Sequence, residues 1–155
     1  MALQLQKNEW LGRQARRVLQ ERAAAGRPLE KVHDTFRAIV ADDADPIHKL
    51  HALWCLRLTG GDSPEWLLKQ LQQSDESVRA CVVRLLVDEG VTTAETARAF
   101  AALAAEEKSG LVLLYLTSAL QRMAPGDRWD LAEQLATKSE FATDPALPLM
   151  IWYGL

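Results

Sequence analysis

Apolar residues recur along the chain at helical spacing, in segments of about 10 to 16 residues divided by short breakers. No stretch keeps a period of two, and no Asn-Gly turn joins two apolar runs, so nothing predicts a strand. The first segment, "NEWLGRQARRVLQER" (8–22), takes Asn8 as its cap and places Leu11, Ala15, Val18 and Leu19 on one face. Gly26, Arg27 and Pro28 end it and open a second helix with apolar face Leu29, Val32, Phe36, Ile39 and Val40. Asp45-Pro46, an N-cap with proline at the first helical position, starts a third that turns Leu50, Leu53, Trp54 and Leu58 inward and stops at Gly60-Gly61. Ser63-Pro64 opens a short helix through Trp66, Leu67 and Leu71, and Asp75 caps another with Val78, Cys81, Val82, Leu85 and Leu86.

Beyond Gly90, Thr92 and Glu95 form a capping box before a helix with Ala97, Phe100, Leu103 and Ala104. Ser109-Gly110 leads into "LVLLYLTSAL", apolar on nearly every side as an inner helix would be. "APGD" (124–127) breaks it, a helix with Trp129, Leu131, Ala132 and Leu135 follows, and Asp144-Pro145 repeats the earlier start signal.

The apolar helices with polar caps begin at 45, 75, 108 and 144, in steps of 30, 33 and 36 residues. Each step holds two helices and two turns. A lone helix pair cannot bury its own apolar face, so pairs at this period stack into one continuous core. The pattern predicts an all-α fold, a right-handed α-α superhelix of about four helix pairs forming a single domain over 1–155. "DESVRACVVRLL" resembles the second-helix signature of HEAT repeats, with Asp75 as the cap and Val78-Arg79 following it.

Composition fits this reading: 155 residues, 48% apolar and 25% charged, are those of an ordinary globular domain with a sizeable core. The charge is uneven. Residues 1–27 carry Lys7, Arg13, Arg16, Arg17, Arg22 and Arg27 against Glu9 and Glu21, a local +4 that leaves −7 for the remainder of a chain whose net charge is −3. A nucleic-acid surface would need the positive stripe to continue past the first helix, and it does not, so no nucleic-acid partner is expected. No run approaches the ~18 apolar residues of a membrane span, and no direct membrane insertion is expected.

Candidate chemistry is sparse. His48 and His51 stand three apart on one helix, with Asp45 at its cap and His33 on the helix before, but a third ligand at fixed spacing is missing. Asp42, Asp43 and Asp45 lack the spaced oxygens and glycine of a calcium loop and read as capping and solvated groups. No metal site and no cofactor is expected. There is no GxSxG elbow, no glycine-rich phosphate loop and no Cys-His pair in a catalytic context, so the chain reads as a non-enzyme with no catalytic residue. Cys55 and Cys81 read as buried small hydrophobes, with a single bridge between them as the alternative. Asp88-Glu89 and Glu106-Glu107, at helix ends, read as solvated charge. Trp10, Trp54, Trp66, Trp129 and Trp152, spread about one to a helix pair, read as packing between pairs. Arg13, Arg16 and Arg17 cover one flank of the first helix and are the candidate interaction surface.

Taken in order, "NEWLGRQARRVLQERAAAGR", "HALWCLRLTGG", "VRACVVRLL", "SALQRM", "DRWDLAEQLA" and "DPALPLMIWYGL" resemble the HEAT-repeat region of large planctomycete- and verrucomicrobial-type proteins described as membrane-bound-dehydrogenase-like, haem-binding CxxCH proteins. Asn8-Glu9-Trp10 with the arginines after it, and Trp152-Tyr153-Gly154, are the most distinctive matches. The resemblance implies a fragment of an exported or periplasmic protein, lying between a sugar-dehydrogenase-like β-propeller and a c-type cytochrome domain, its partners. The family's Cys-x-x-Cys-His motif is absent here, so no haem-binding or catalytic residue transfers. What transfers is the role of spacer or docking surface. The alternatives are a stand-alone HEAT-type adaptor for a protein or peptide and, from the enzyme class, a HEAT-like DNA glycosylase or lyase.

Overall fold

The computed structural model describes residues 9–88, 90 and 92–155. Among them are nine α-helices and two 3-10 turns, and no strand. The chain divides into two compact units, Met1–Ser63 and Pro64–Leu155.

The first unit holds α1 (Glu9–Ala24), α2 (Glu30–Asp42) and α3 (Pro46–Thr59), with α3 packed against both others. Asp45 caps α3 as its sequence predicts, accepting from the Ile47 amide at 2.9 Å ahead of Pro46. Gly60 closes the helix in the left-handed region (φ 70°), where a glycine is needed. The core gathers Leu19, Leu29, Phe36, Val40, Leu53, Cys55 and Leu56.

Two expected faces are rotated. Val18 and Leu58 are exposed (45% and 40%), although the spacing turns both inward. In this unit α1 packs chiefly on α3, and one main neighbour buries a narrow stripe, here Gly12 and Leu19. On α3, contact with both α1 and α2 centres the buried stripe on Lys49, Ala52, Leu53, Cys55 and Leu56, leaving Leu50 and Trp54 half-buried at its edges. Asn8, the expected cap of α1, lies outside the described residues.

The second unit holds α4 (Pro64–Gln70), α5 (Glu76–Val87), α6 (Ala94–Glu106), α7 (Gly110–Leu120), α8 (Trp129–Ala136) and α9 (Leu147–Gly154). Alternate helices pack together: α5 on α7 and α7 on α9, with α6 on α8. α7 also touches α6 and α8, so it is enclosed, and it buries Val112, Leu113, Leu116, Thr117, Ala119 and Leu120. Its buried Thr117 hydroxyl donates to the Leu113 carbonyl at 2.7 Å, which keeps a polar group satisfied inside an apolar layer. Gly154 is fixed by contact: a Cβ there would lie 2.7 Å from Leu120 Cβ, so α9 approaches α7 as closely as backbone permits.

Local starts follow the sequence with two shifts. Asp75 accepts from Ser77 and Val78 amides, and Ser109 caps α7. The cap of α6 is Thr93, whose hydroxyl takes the Thr96 amide, rather than Thr92. Thr92 is buried instead, its hydroxyl donating to the Arg122 carbonyl. α9 begins at Leu147, three residues after Asp144, because Asp144 holds the Ala146 and Leu147 amides in a turn and Pro148, not Pro145, occupies the first helical turn.

Candidate functional site

The flank named by the sequence is split by the fold. Arg13 and Arg17 are exposed, and Arg17 Nε donates to Glu21 Oε1 at 3.0 Å between side chains that are 73% and 62% accessible. Such an i,i+4 pair in water contributes about 0.3–0.5 kcal/mol. Arg16 is half-buried and lines an open depression of about 370 Å³ with His51, Trp54 and Leu58. Burial pushes the Cys55 thiol up to about 11, and the positive charge of Arg16 works against that shift. Thus Arg16 belongs to the α1–α3 junction, and Arg13 and Arg17 to the outer surface.

The histidines are not brought to a common centre. His33 Nε2 donates to Thr59 Oγ1 at 2.9 Å, because the threonine proton is already given to the Cys55 carbonyl at 2.7 Å. Its ring lies where a Cβ on Gly61 would fall, 2.6 Å away. His48 Nδ1 contacts Asp43 Oδ2 at 3.2 Å, and Asp43 also accepts the Asp45 amide. These bonds, the Asp45 amide first, hold the Asp43 carboxyl below its ordinary value. Among the described residues no group of three or more His, Cys, Asp or Glu could hold a metal ion. Cys55 and Cys81 are both buried and free, and burial raises the Cys81 thiol to about 11 as well, so neither is a ready nucleophile.

Three tryptophans depart from the packing role the sequence assigns them. Trp10, Trp129 and Trp152 are exposed, while Trp54 and Trp66 are half-buried. A helix end has fewer neighbours to cover an indole than a helix centre, and Trp10, Trp129 and Trp152 all stand near an end of their helices.

What sequence reasoning missed is a polar junction in the second unit. Glu107, expected to be solvated, is buried. Arg79 Nε and Nη2 donate to its two carboxylate oxygens at 2.8 and 3.0 Å, and the Lys108 and Ser109 amides donate to Oε1. Burial raises the Glu107 carboxyl, but the Arg79 and amide hydrogen bonds together with the Arg79 charge outweigh it and hold it below the usual range. The same guanidinium donates through Nη1 to the Gln73 and Ser74 carbonyls, and Glu76 accepts the Ser109 hydroxyl. Lys138 Nζ donates to the Ala105 and Glu107 carbonyls at 3.0 and 2.9 Å, closing the end of α6. Arg128 similarly holds the Met123 and Gly154 carbonyls at 2.9 Å each. The Val-Arg pair after Asp75 was a pointer to Arg79, but nothing local pointed to Glu107, 28 residues on.

Asp88 keeps an exposed place near Arg84, 4.0 Å away, while Glu89 lies outside the described residues. No helix among the described residues is long and apolar enough to cross a membrane. Comparison of the chain with protein-family models, with curated proteins and with solved structures gives no match.

Proposed function

We propose that this chain is a non-catalytic, HEAT-like helical-repeat module, a right-handed superhelix of about four helix pairs. In this reading it spaces and docks the domains of a larger membrane-bound-dehydrogenase-like, cytochrome c-containing protein of the cell exterior or periplasm. The observation that supports the repeat reading is the packing of alternate helices in the second unit, α5 on α7 on α9 with α6 on α8, where α5 and α7 carry side-chain caps at two of the expected starts. The half-buried cations support a structural role, since Arg79, Arg128 and Lys138 all direct their donors at backbone carbonyls. The domain context rests on the sequence resemblance alone.

In this reading Arg13 and Arg17, with the outer edge of Arg16, face the preceding propeller-like domain. The gene's flanking sequence tests the proposal: an in-frame Cys-x-x-Cys-His motif downstream is expected, and a stop codon soon after Leu155 overturns it. In the parent protein, replacing Arg13, Arg16 and Arg17 by Gln should loosen inter-domain docking, read as faster proteolysis between domains. A stand-alone adaptor is the second reading, favoured by Leu149, Trp152 and Tyr153, which leave an exposed apolar group on α9. A single-domain gene together with a specific protein partner would select it.

A further inference from the structure

Between α7, α8, α9 and the 3-10 turn at Ser139–Phe141 lies a half-open cavity of about 320 Å³. Leu113, Leu135, Phe141, Leu147 and Ile151 form most of its wall, and Lys138 stands among them. The volume falls within the range of small-ligand sites, which are mostly apolar with a few placed polar groups. The walls are mostly apolar, so an apolar occupant gains by displacing water from them.

From this geometry we infer that the cavity binds an aliphatic monocarboxylate, its alkyl chain among the leucines and its carboxylate at the Lys138 ammonium. Lys138 has three donors, of which the Ala105 and Glu107 carbonyls take two, so one N–H remains for an anion. The Glu107 carboxylate is paired with Arg79 through both of its oxygens, and Lys138 reaches only the Glu107 main-chain carbonyl. An alkyl chain suits the wall better than a peptide does. The polar side chains lining the cavity are those of Lys138 and Ser139, too few to satisfy a peptide backbone taken out of water. The site is independent of the scaffold reading.

The test uses the whole chain with methyl labels on isoleucine and leucine, titrated with decanoate below its micellar concentration and, separately, with decanol. Expected are saturable shifts of the Ile151 and Leu135 methyls, with decanoate binding at least tenfold more tightly than decanol. Lys138→Met should erase that preference while keeping decanol affinity, which also shows that the variant is folded. Ala136→Phe, at the rim, should weaken both ligands at least tenfold. Equal affinities for decanoate and decanol in the wild type overturn the inference, and so do shifts confined to Leu149 on the outer face. Tighter binding of N-acetyl-leucyl-leucine than of decanoate would assign the cavity to a peptide terminus and overturn it as well. Should Lys138→Met fail to fold, the wild-type ratio of decanoate to decanol decides.

Discussion

Two arginine–glutamate pairs, one in each unit, have nearly the same length and different physical meaning. Arg17 and Glu21 meet at 3.0 Å on a single helix, in water. Arg79 and Glu107 meet at 2.8 Å across a 28-residue separation, with side chains only 15% and 6% accessible. In the first, solvent screens the attraction and either partner can leave at little cost. In the second, removing one partner strands the other in a site that water does not reach freely. The difference teaches that position in the fold, rather than the chemistry of the pair, decides what an ion pair contributes.

The sharpest way to break the comparison is Arg79→Ala, which leaves Glu107 buried with two backbone amides but no counter-charge and frees the Gln73 and Ser74 carbonyls. It should destabilise the chain by about 3 kcal/mol in chemical denaturation. A loss under 1 kcal/mol would place the two pairs in one class. Acid should act on the same contact. The folded Glu107 carboxyl lies below its ordinary value, so its contribution is complete above the unfolded value of about 4.3 and is lost as pH falls through the lower folded value. Denaturation midpoints measured from pH 6 down to pH 2 should therefore fall more steeply in the wild type than in Arg79→Ala.

A cap offers an intermediate standard. Asp75→Ala removes the acceptor for the Ser77 and Val78 amides and should cost about 1 kcal/mol, recovered in large part by Asp75→Asn. The smallest effect is expected at the surface pair: Arg17→Gln should change stability by no more than about 0.5 kcal/mol. Adding Arg13→Gln should leave that figure nearly unchanged, and adding Arg16→Gln should enlarge it, because Arg16 alone of the three lines the depression beside Trp54. If all three behave alike, the division of the flank between surface and junction is wrong.

These contrasts also explain what the sequence made legible. Helix existence and most starts were readable, because a cap such as Asp45, Asp75 or Ser109 acts on amides two or three residues away. The shift from Thr92 to Thr93 is one residue, and it arises because Thr92 is drawn to the Arg122 carbonyl, a contact 30 residues distant. Which apolar residues stay exposed was less readable. Val18, Leu58 and Trp152 have helical spacing like their buried neighbours, and only the number of helices packed around each decides their fate. Of the candidate interaction surface, Arg13 and Arg17 are exposed and Arg16 is half-buried, a difference that depends on α3 and not on spacing. Glu107 was illegible for the plainest reason: its partner lies on another helix.

The cations that tie helix ends together mostly address main-chain oxygens: Arg37 that of Gly61, Arg79 those of Gln73 and Ser74, Arg128 those of Met123 and Gly154, Lys138 those of Ala105 and Glu107. A main-chain acceptor survives any replacement of the side chain it belongs to. Gln73, Ser74, Met123 and Ala105 are therefore free to drift as acceptors, while the donors are not. Helices joined in this way can change sequence at the acceptor positions and still be held at the same junctions.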